Sequence, residues 1–166
     1  MQRSIALLFA AACASTQPQP TREAAAPGVN VPDDGSRLIY SGQAEGAQVY
    51  ACSPKAGGGQ EWKLKAPDAT VTGSAGAKLR HFAGPSWEAA DGSTVVGEVK
   101  ARADVDAAAI PWLLLGAKST SGTGLLAHVR WIQRLETRGG KAPGGSCDAG
   151  AEVRVPYSAV YKFWGP

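Results

Sequence analysis

Apolar residues from position 37 onward fall in short segments that glycine-rich stretches separate. Within most of these segments apolar and polar residues alternate, which is the pattern of a β-strand with one buried face. The segments with this pattern are "RLIYSG", "AQVYACS", "EWKLKAP", "AKLRHFAG", "STVVGEVKARA" and "AEVRVPYSAVYKFW". Eight or more short strands predict an all-β, mostly antiparallel fold, either a sandwich or a barrel. At most one short helix is expected, and residues 104–110 are the best place for it.

Two longer segments do not follow simple alternation. The run "IPWLLLGAKS" is continuously apolar at its start, which predicts a strand buried on both faces. The run "LLAHVRWIQRLETRGG" fits either a helical stripe or a strand. We favour the strand, because glycines bound the run and no N-cap residue precedes it. Such a strand would place Val129, Trp131 and Leu135 on its apolar face and Arg134 on its polar face.

The stretch "HFAGPSWEAADGS" has the pattern of a hairpin more than that of a compressed active site. Its "DG" pair predicts a turn between two strands. A register shift of one residue would turn every side chain to the opposite face, so the burial pattern selects a three-residue loop at 91–93. This register sets Trp87 opposite Gly97 on the core face and leaves Glu88 on the outer face.

Length and composition fit one globular domain. The chain has 166 residues, of which 44% are hydrophobic and 19% charged, so it is long enough to bury a stable core. The formal net charge is only +3, whereas a nucleic-acid-binding domain needs a dense basic face. We therefore expect no nucleic-acid partner.

The N-terminus has the features of an export signal. Arg3 precedes a short apolar run, and small residues follow it at a cleavage position. The same residues resemble a lipoprotein signal, in which Cys13 would carry a lipid and tether the protein to a membrane; a buried helix is the other alternative. We predict an export signal at 1–14, a flexible lead-in at 15–36 and a single β-rich domain at 37–166. The protein would then be secreted or periplasmic, or an outer-membrane lipoprotein if Cys13 is lipidated.

Two cysteines remain once Cys13 is assigned to the signal, namely Cys52 and Cys147. In an oxidising compartment the simplest state of such a pair is a disulfide. It would close a loop of about 95 residues, which stabilises a fold by up to about 4.7 kcal/mol in the chain-entropy model. Two unpaired thiols are the alternative, because the pair lacks the spacing of a metal or redox site.

Motifs for catalysis are weak in this sequence. The segment "GTGLLA" at 122–127 has the spacing of a dinucleotide-binding loop, but too few residues follow it for the βα units of that fold. We predict a glycine-rich turn there, no cofactor and no metal site. No nucleophile motif surrounds Ser86. His81 is a candidate catalytic residue for a hydrolase-type enzyme, with Glu88 or Asp91 as its acidic partner.

Other residues indicate binding. Of the five tryptophans, Trp62 and Trp164 are candidates for the rim of a ligand pocket, and His81 is a third candidate ligand-binding residue. Three i,i+2 pairs of cations would form either a basic stripe or an ordinary solvated outer face. These pairs are Lys63 with Lys65, Lys78 with Arg80, and Lys100 with Arg102.

Several segments together resemble one family of secreted proteins. They are "YAC", "EWKLKAPDATV", "HFAGPSWEAADGSTVVGEV", "AIPWLLLGAKSTSGTG", "VRWIQRLETRGGKAPGGSC" and "VPYSAVYKFW". The family that they resemble occurs in bacteria and filamentous fungi and is catalogued as a domain of unknown function; some of its fungal members carry a malate dehydrogenase label. The resemblance covers roughly residues 37–164, includes Cys52 and Cys147, and implies no activity or catalytic residue.

These observations favour a non-enzymatic binding module for a carbohydrate or a small apolar ligand. The alternatives are a hydrolase based on His81, and a structural or adhesive surface protein that binds anionic glycans through the basic stripe. The partner is accordingly an unknown small ligand or glycan. The decisive observation for a structure is whether His81, Glu88 and Trp62 line one cavity.

Overall fold

The computed structural model describes residues 28–74 and 76–166, and within them it contains eight β-strands and no helix. The strands are β1 Arg37–Pro54, β2 Gln60–Gly73, β3 Lys78–Phe82, β4 Ser86–Ala89, β5 Thr94–Ala103, β6 Trp112–Ser121, β7 Trp131–Gly139 and β8 Glu152–Gly165. Each strand pairs antiparallel with the next, and β8 pairs with β1, so the sheet closes into a barrel. The all-β prediction is confirmed, and the chain adopts the barrel of the two expected architectures. Residues 104–110, the expected place for a helix, form coil and a turn.

The barrel interior is packed around aromatic rings. Alternation along each strand sends every second side chain inward, and the inner core includes Trp87, Tyr161 and Phe163. The ring centroid of Trp87 lies 5.5 Å from that of Tyr161 and 5.6 Å from that of Phe163, both in edge-to-face geometry. Such contacts stabilise the core beyond simple burial of area.

A second, smaller core lies on the outside of the barrel wall. Residues 28–36, in the segment expected to be a lead-in, pack across the outer face of β6, β7 and β8. The carbonyl oxygen of Val29 accepts a hydrogen bond of 2.8 Å from the side chain of Gln133. Leu114 is therefore buried outside the barrel while its neighbour Leu115 is buried inside, which confirms that β6 is buried on both faces. The buried members of this outer core are Val29, Leu114, Leu135 and Val160.

The two faces of β7 are composed as the sequence predicts, and the apolar face lies on the outside of the barrel. Trp131 and Leu135 lie on the outside of the barrel, in the outer core, and Arg134 faces the interior. Here the segment 28–36 covers the outer face, so apolar residues are needed there.

The hairpin between β4 and β5 has the predicted loop length at a different position. The loop consists of residues 90–92 and not 91–93, because the N–H of Ala89 donates to the carbonyl of Ser93 at 3.0 Å. Gly92 has a φ of 81°, so it takes the left-handed third position that three-residue hairpin loops commonly require. The loop therefore ends at the glycine, and Ser93 belongs to the pairing strand.

This change shifts the register by two residues and keeps every side chain on its predicted face. Trp87 lies opposite Val95 and not opposite Gly97. It is nevertheless buried, and Glu88 lies on the outer face, as predicted. Trp87 also covers Gly97, because a Cβ atom on that glycine would lie 3.1 Å from the indole ring.

The loop between β6 and β7 closes one end of the barrel. Its Leu126 is buried in the inner core. The carboxylate of Asp91 accepts a hydrogen bond of 2.8 Å from the N–H of Leu125, and the hydroxyl of Ser93 accepts one of 3.0 Å from that of Leu126. Gly124 permits this approach, since a Cβ atom there would collide with the Asp91 carboxylate. The segment "GTGLLA" therefore forms part of a loop, and glycine is required in this loop where it makes close contacts.

Cys52 near the end of β1 is bonded to Cys147 in the segment before β8, with 5.8 Å between their Cα atoms. This confirms the predicted disulfide, and such bonds persist in oxidising compartments. Among the described residues there is no helix of the length and apolarity that crossing a membrane requires. The predicted signal and Cys13 lie outside the described residues.

Candidate functional site

The end of the barrel away from the β6–β7 loop holds a cavity of about 480 Å³. Exposed residues stand at its mouth, among them Leu64 and Val99, and the buried side chains of Gln48, His81 and Trp87 form its floor. The volume is within the range of small-molecule pockets, which is about 300–1,000 Å³. We take this cavity as the candidate site.

His81 lies on the floor with both ring nitrogens engaged. Its Nδ1 is 2.9 Å from the carbonyl oxygen of Ser86, which can only accept, so Nδ1 carries the hydrogen. Its Nε2 is 3.1 Å from the hydroxyl of Tyr161, which then donates to it. The imidazole also stacks on Trp87, with ring centroids 4.3 Å apart. The ring is therefore fixed in one tautomer and one orientation.

Burial lowers the pKa of His81 to about 4, against the opposing effect of its hydrogen bond to Ser86, and the positive charge of Arg134 lowers it further. Burial also raises the pKa of the Tyr161 hydroxyl. At pH 7 both groups are neutral. An imidazole whose two nitrogens are already bonded to the protein is poorly arranged to take a proton from a substrate.

The acidic partners considered for His81 lie elsewhere. Glu88 is on the outer face of β4, with its carboxylate 2.9 Å from the guanidinium of Arg80. Asp91 binds the β6–β7 loop at the other end of the barrel. The pKa of the Asp91 carboxyl is lowered, mainly by a hydrogen bond from the side chain of Ser93. Neither acid lines the cavity. In the described part of the chain, no group of three or more His, Cys, Asp or Glu side chains is placed to hold a metal ion.

The two tryptophans expected at a pocket rim are also away from the cavity. Trp62 is half-buried in β2, where it pairs with Cys52 beside the disulfide. Trp164 lies on the outer side of β8, and its indole N–H donates to the side-chain oxygen of Gln133 at 3.0 Å. Of the three residues predicted to bind a ligand, His81 alone lines the cavity.

Sequence reasoning missed two polar residues of the cavity, Gln48 and Arg134. Gln48 has an i,i+2 relation to the buried Tyr50 in β1, and Arg134 has the same relation to the buried Ile132 in β7. This relation places each of them on the inner face. A polar residue within an inward-facing row was the signal that could have identified both.

Gln48, Trp87 and Arg134 line the cavity and carry hydrogen-bond donors. Arg134 donates from Nε and Nη2 to the carbonyl of Pro111 at 3.0 and 2.9 Å. Gln48 is 2% exposed and Trp87 is 1% exposed. The amide nitrogen of the first and the indole nitrogen of the second have no hydrogen-bond partner among residues 28–74 and 76–166. Buried donors of this kind usually cost about 1–3 kcal/mol each when they remain unpaired.

The outer surface carries both signs of charge. Of the six cations in the predicted basic pairs, five lie within salt-bridge distance of a carboxylate. The ion pairs are Lys63 with Glu61, Lys65 with Glu152, Arg80 with Glu88, Lys100 with Glu98, and Arg102 with Asp104. In addition, β4 separates β3 from β5, so the pair on β5 does not lie on a strand adjacent to those of the other two pairs.

A family model described as "Protein of unknown function (DUF3455)" matches residues 72–165, more than half of the chain. The chain belongs to this family. No curated protein and no solved structure matches it. The DUF3455 match contains β3 to β8, and with them His81, Trp87, Arg134 and Tyr161 of the cavity, whereas Gln48 precedes it. The family description names no activity, so function has to be argued from the cavity.

Proposed function

We propose that this protein is a non-enzymatic binding module that holds a small, largely apolar molecule at the mouth and in the interior of the barrel. The observation that carries the proposal is the position of Leu64 and Val99, which are 55% and 51% exposed and line the same cavity. With the buried Leu115 deeper in the cavity, they offer an apolar molecule a continuous surface. Burial of apolar area contributes about 25 cal/mol per Å² before the costs of association.

An apolar ligand agrees with the geometry better than the alternatives do. Sugar sites commonly use exposed aromatic platforms, and the Trp and Tyr rings that line the cavity, those of Tyr50, Trp87 and Tyr161, are buried. A hydrolase would need an acid or an unoccupied ring nitrogen at His81. A glycan-binding surface would need cations that are not already paired with carboxylates. These observations favour an apolar ligand in the cavity over a sugar ligand, a hydrolase activity and a glycan-binding outer surface.

The test uses N-phenyl-1-naphthylamine, a neutral apolar dye whose fluorescence rises in an apolar site. We expect saturable binding with one site per chain. Ala66 is half-buried and lines the cavity, so Ala66→Trp should fill the site and weaken dye binding at least tenfold. Val105 is exposed outside the cavity, so Val105→Trp is the matched control and should bind as the wild type does. Equal binding by the two variants, or no saturable binding by the wild type, would refute the proposal.

We also propose that the protein is exported through the segment 1–14, to the periplasm or the cell exterior. The disulfide supports this location, because such bonds are rare in reducing compartments. The intact mass of protein recovered from the producing cells would be measured. Removal of about the first 14 residues is the expected result, and a mass with a lipid on Cys13 would identify the membrane-anchored form. Full-length, reduced protein in the cytoplasm would contradict export.

A further inference from the structure

The charged residues that line the cavity in the described part of the chain are cations. The cations Lys65, Arg102 and Arg134 line it, and among the described residues no Asp or Glu side chain does. Lys65 and Arg102 stand at the exposed mouth and are paired with Glu152 and Asp104. Arg134 is half-buried, and within the described ranges no carboxylate lies within salt-bridge distance of its guanidinium. Its charge therefore favours an anion in the cavity.

The polar groups of the floor show the same bias toward an acceptor. Tyr50 donates its hydroxyl hydrogen to the carbonyl of Gly140 at 2.7 Å, and Tyr161 is oriented toward His81. The buried nitrogens without partners are those of Gln48 and Trp87. An indole N–H and a guanidinium can only donate, and an amide NH₂ group also donates. A ligand that bonds to any of these groups must present acceptor oxygens.

We infer that the ligand is an amphiphilic monocarboxylate, whose carboxylate binds the guanidinium of Arg134. Its hydrocarbon part extends toward Leu64 and Val99 at the mouth. This inference rests on the proposed function, because it names the chemical class of the molecule that the cavity holds.

A carboxylate fits these donors better than other head groups. One guanidinium balances one negative charge and matches the two oxygens of a carboxylate, whereas a phosphate monoester would carry a second charge. An alcohol supplies an oxygen but no charge. An ammonium group would be repelled by Arg134. The exposed Leu64 and Val99 at the mouth in turn favour an acid with a hydrocarbon part, which would cover them.

The experiment measures the affinity of the full chain for three probes of equal chain length, by isothermal titration calorimetry at pH 7.5. The probes are decanoate, 1-decanol and decyltrimethylammonium. We expect decanoate to bind at least tenfold more tightly than 1-decanol, and decyltrimethylammonium to bind more weakly than either. Decanoate affinity should fall as ionic strength rises, and 1-decanol affinity should not.

Three variants test the residues. Arg134→Gln should weaken decanoate at least tenfold and leave 1-decanol within twofold. Gln48→Met, which removes the buried amide at similar volume, should weaken decanoate less than Arg134→Gln does. Arg138 lies four residues along in the same strand and is exposed outside the cavity. Arg138→Gln is the matched control and should bind both probes as the wild type does.

The outcomes separate the two proposals. If 1-decanol binds as tightly as decanoate, or if Arg134→Gln weakens both probes equally, the carboxylate inference is overturned and the apolar cavity stands. If neither probe binds to the wild type, the proposed function is overturned and the inference falls with it. Should Arg134→Gln fail to fold, the wild-type preference for decanoate over 1-decanol and its fall with rising ionic strength decide the question.

Discussion

Protonation of His81 should control the stability of this barrel in mildly acidic solution. Burial is the main cause that lowers the pKa of His81 to about 4 from an ordinary value of 6.5. The unfolded chain therefore binds more protons than the folded chain between these values, and stability falls as the pH falls through 6.5 toward 4. The full difference between the two pKa values corresponds to about 3 kcal/mol in the free energy of unfolding. About 2 kcal/mol of this is lost between pH 7.5 and pH 5.

The carboxylates contribute little in this window. Hydrogen bonds from Ser36 and Trp131 lower the pKa of Asp34 to about 2, and a depressed carboxylate pKa costs stability only as the pH falls below its ordinary value near 3.8. The change between pH 7.5 and pH 5 is thus attributable mainly to His81.

The assay is urea denaturation at several pH values between 5 and 7.5. We expect the free energy of unfolding of the wild type to fall by about 2 kcal/mol across this range. His81→Gln should be less stable at pH 7.5, because it loses the stacking on Trp87, and should show little change with pH. His128 is exposed, so His128→Gln should retain the wild-type pH dependence. A wild type with a flat profile, or His81→Gln with the wild-type slope, would refute the reasoning.

Three further predictions concern stability. Replacing Cys52 and Cys147 together by Ala should lower the free energy of unfolding by about 2–5 kcal/mol in urea denaturation, since 95 residues separate them; a loss below about 1 kcal/mol would contradict this. Gly46→Ala should cost about 1–3 kcal/mol, because its Cβ would overlap with the backbone of β2; Gly144→Ala, in open space, is the control and should change stability by less than about 0.5 kcal/mol. Asp91→Ala should release the loop that closes the barrel, which hydrogen exchange would detect as lost protection of the two N–H groups tied to the hairpin; unchanged protection would show that the loop is held by packing alone.

Local pattern was sufficient for the elements and much of their orientation. Alternation in the short segments predicted strands, and the continuous run of β6 predicted burial on both faces, because a side chain's face depends only on its position along the strand. In the β4–β5 hairpin the faces of Trp87 and Glu88 were correct although the register was two residues off. An even shift keeps each residue on its face, and the left-handed Gly92 was the local clue to the right loop.

The outward position of the apolar face of β7 shows where local pattern stops being sufficient. Trp131 and Leu135 are apolar because residues 28–36 cover them from outside, and no periodicity within β7 encodes that cover. The inner face of β7 accommodates the charged Arg134 because the barrel interior contains the cavity beside this residue. Apolar character in a strand therefore predicted burial correctly but not the side on which burial occurs.

The sequence by itself determined the strands, the disulfide and the absence of a recognisable catalytic motif. Only the tertiary structure decided the candidate site. Gln48, Trp87 and Arg134 lie on β1, β4 and β7, and they line one cavity because β8 pairs with β1 and closes the sheet. That pairing joins the first strand to the last. This pairing depends on contacts between residues that are distant in sequence, which short-range periodicity does not report. By contrast, His81, Glu88 and Asp91 are close in sequence but do not share a site in the structure.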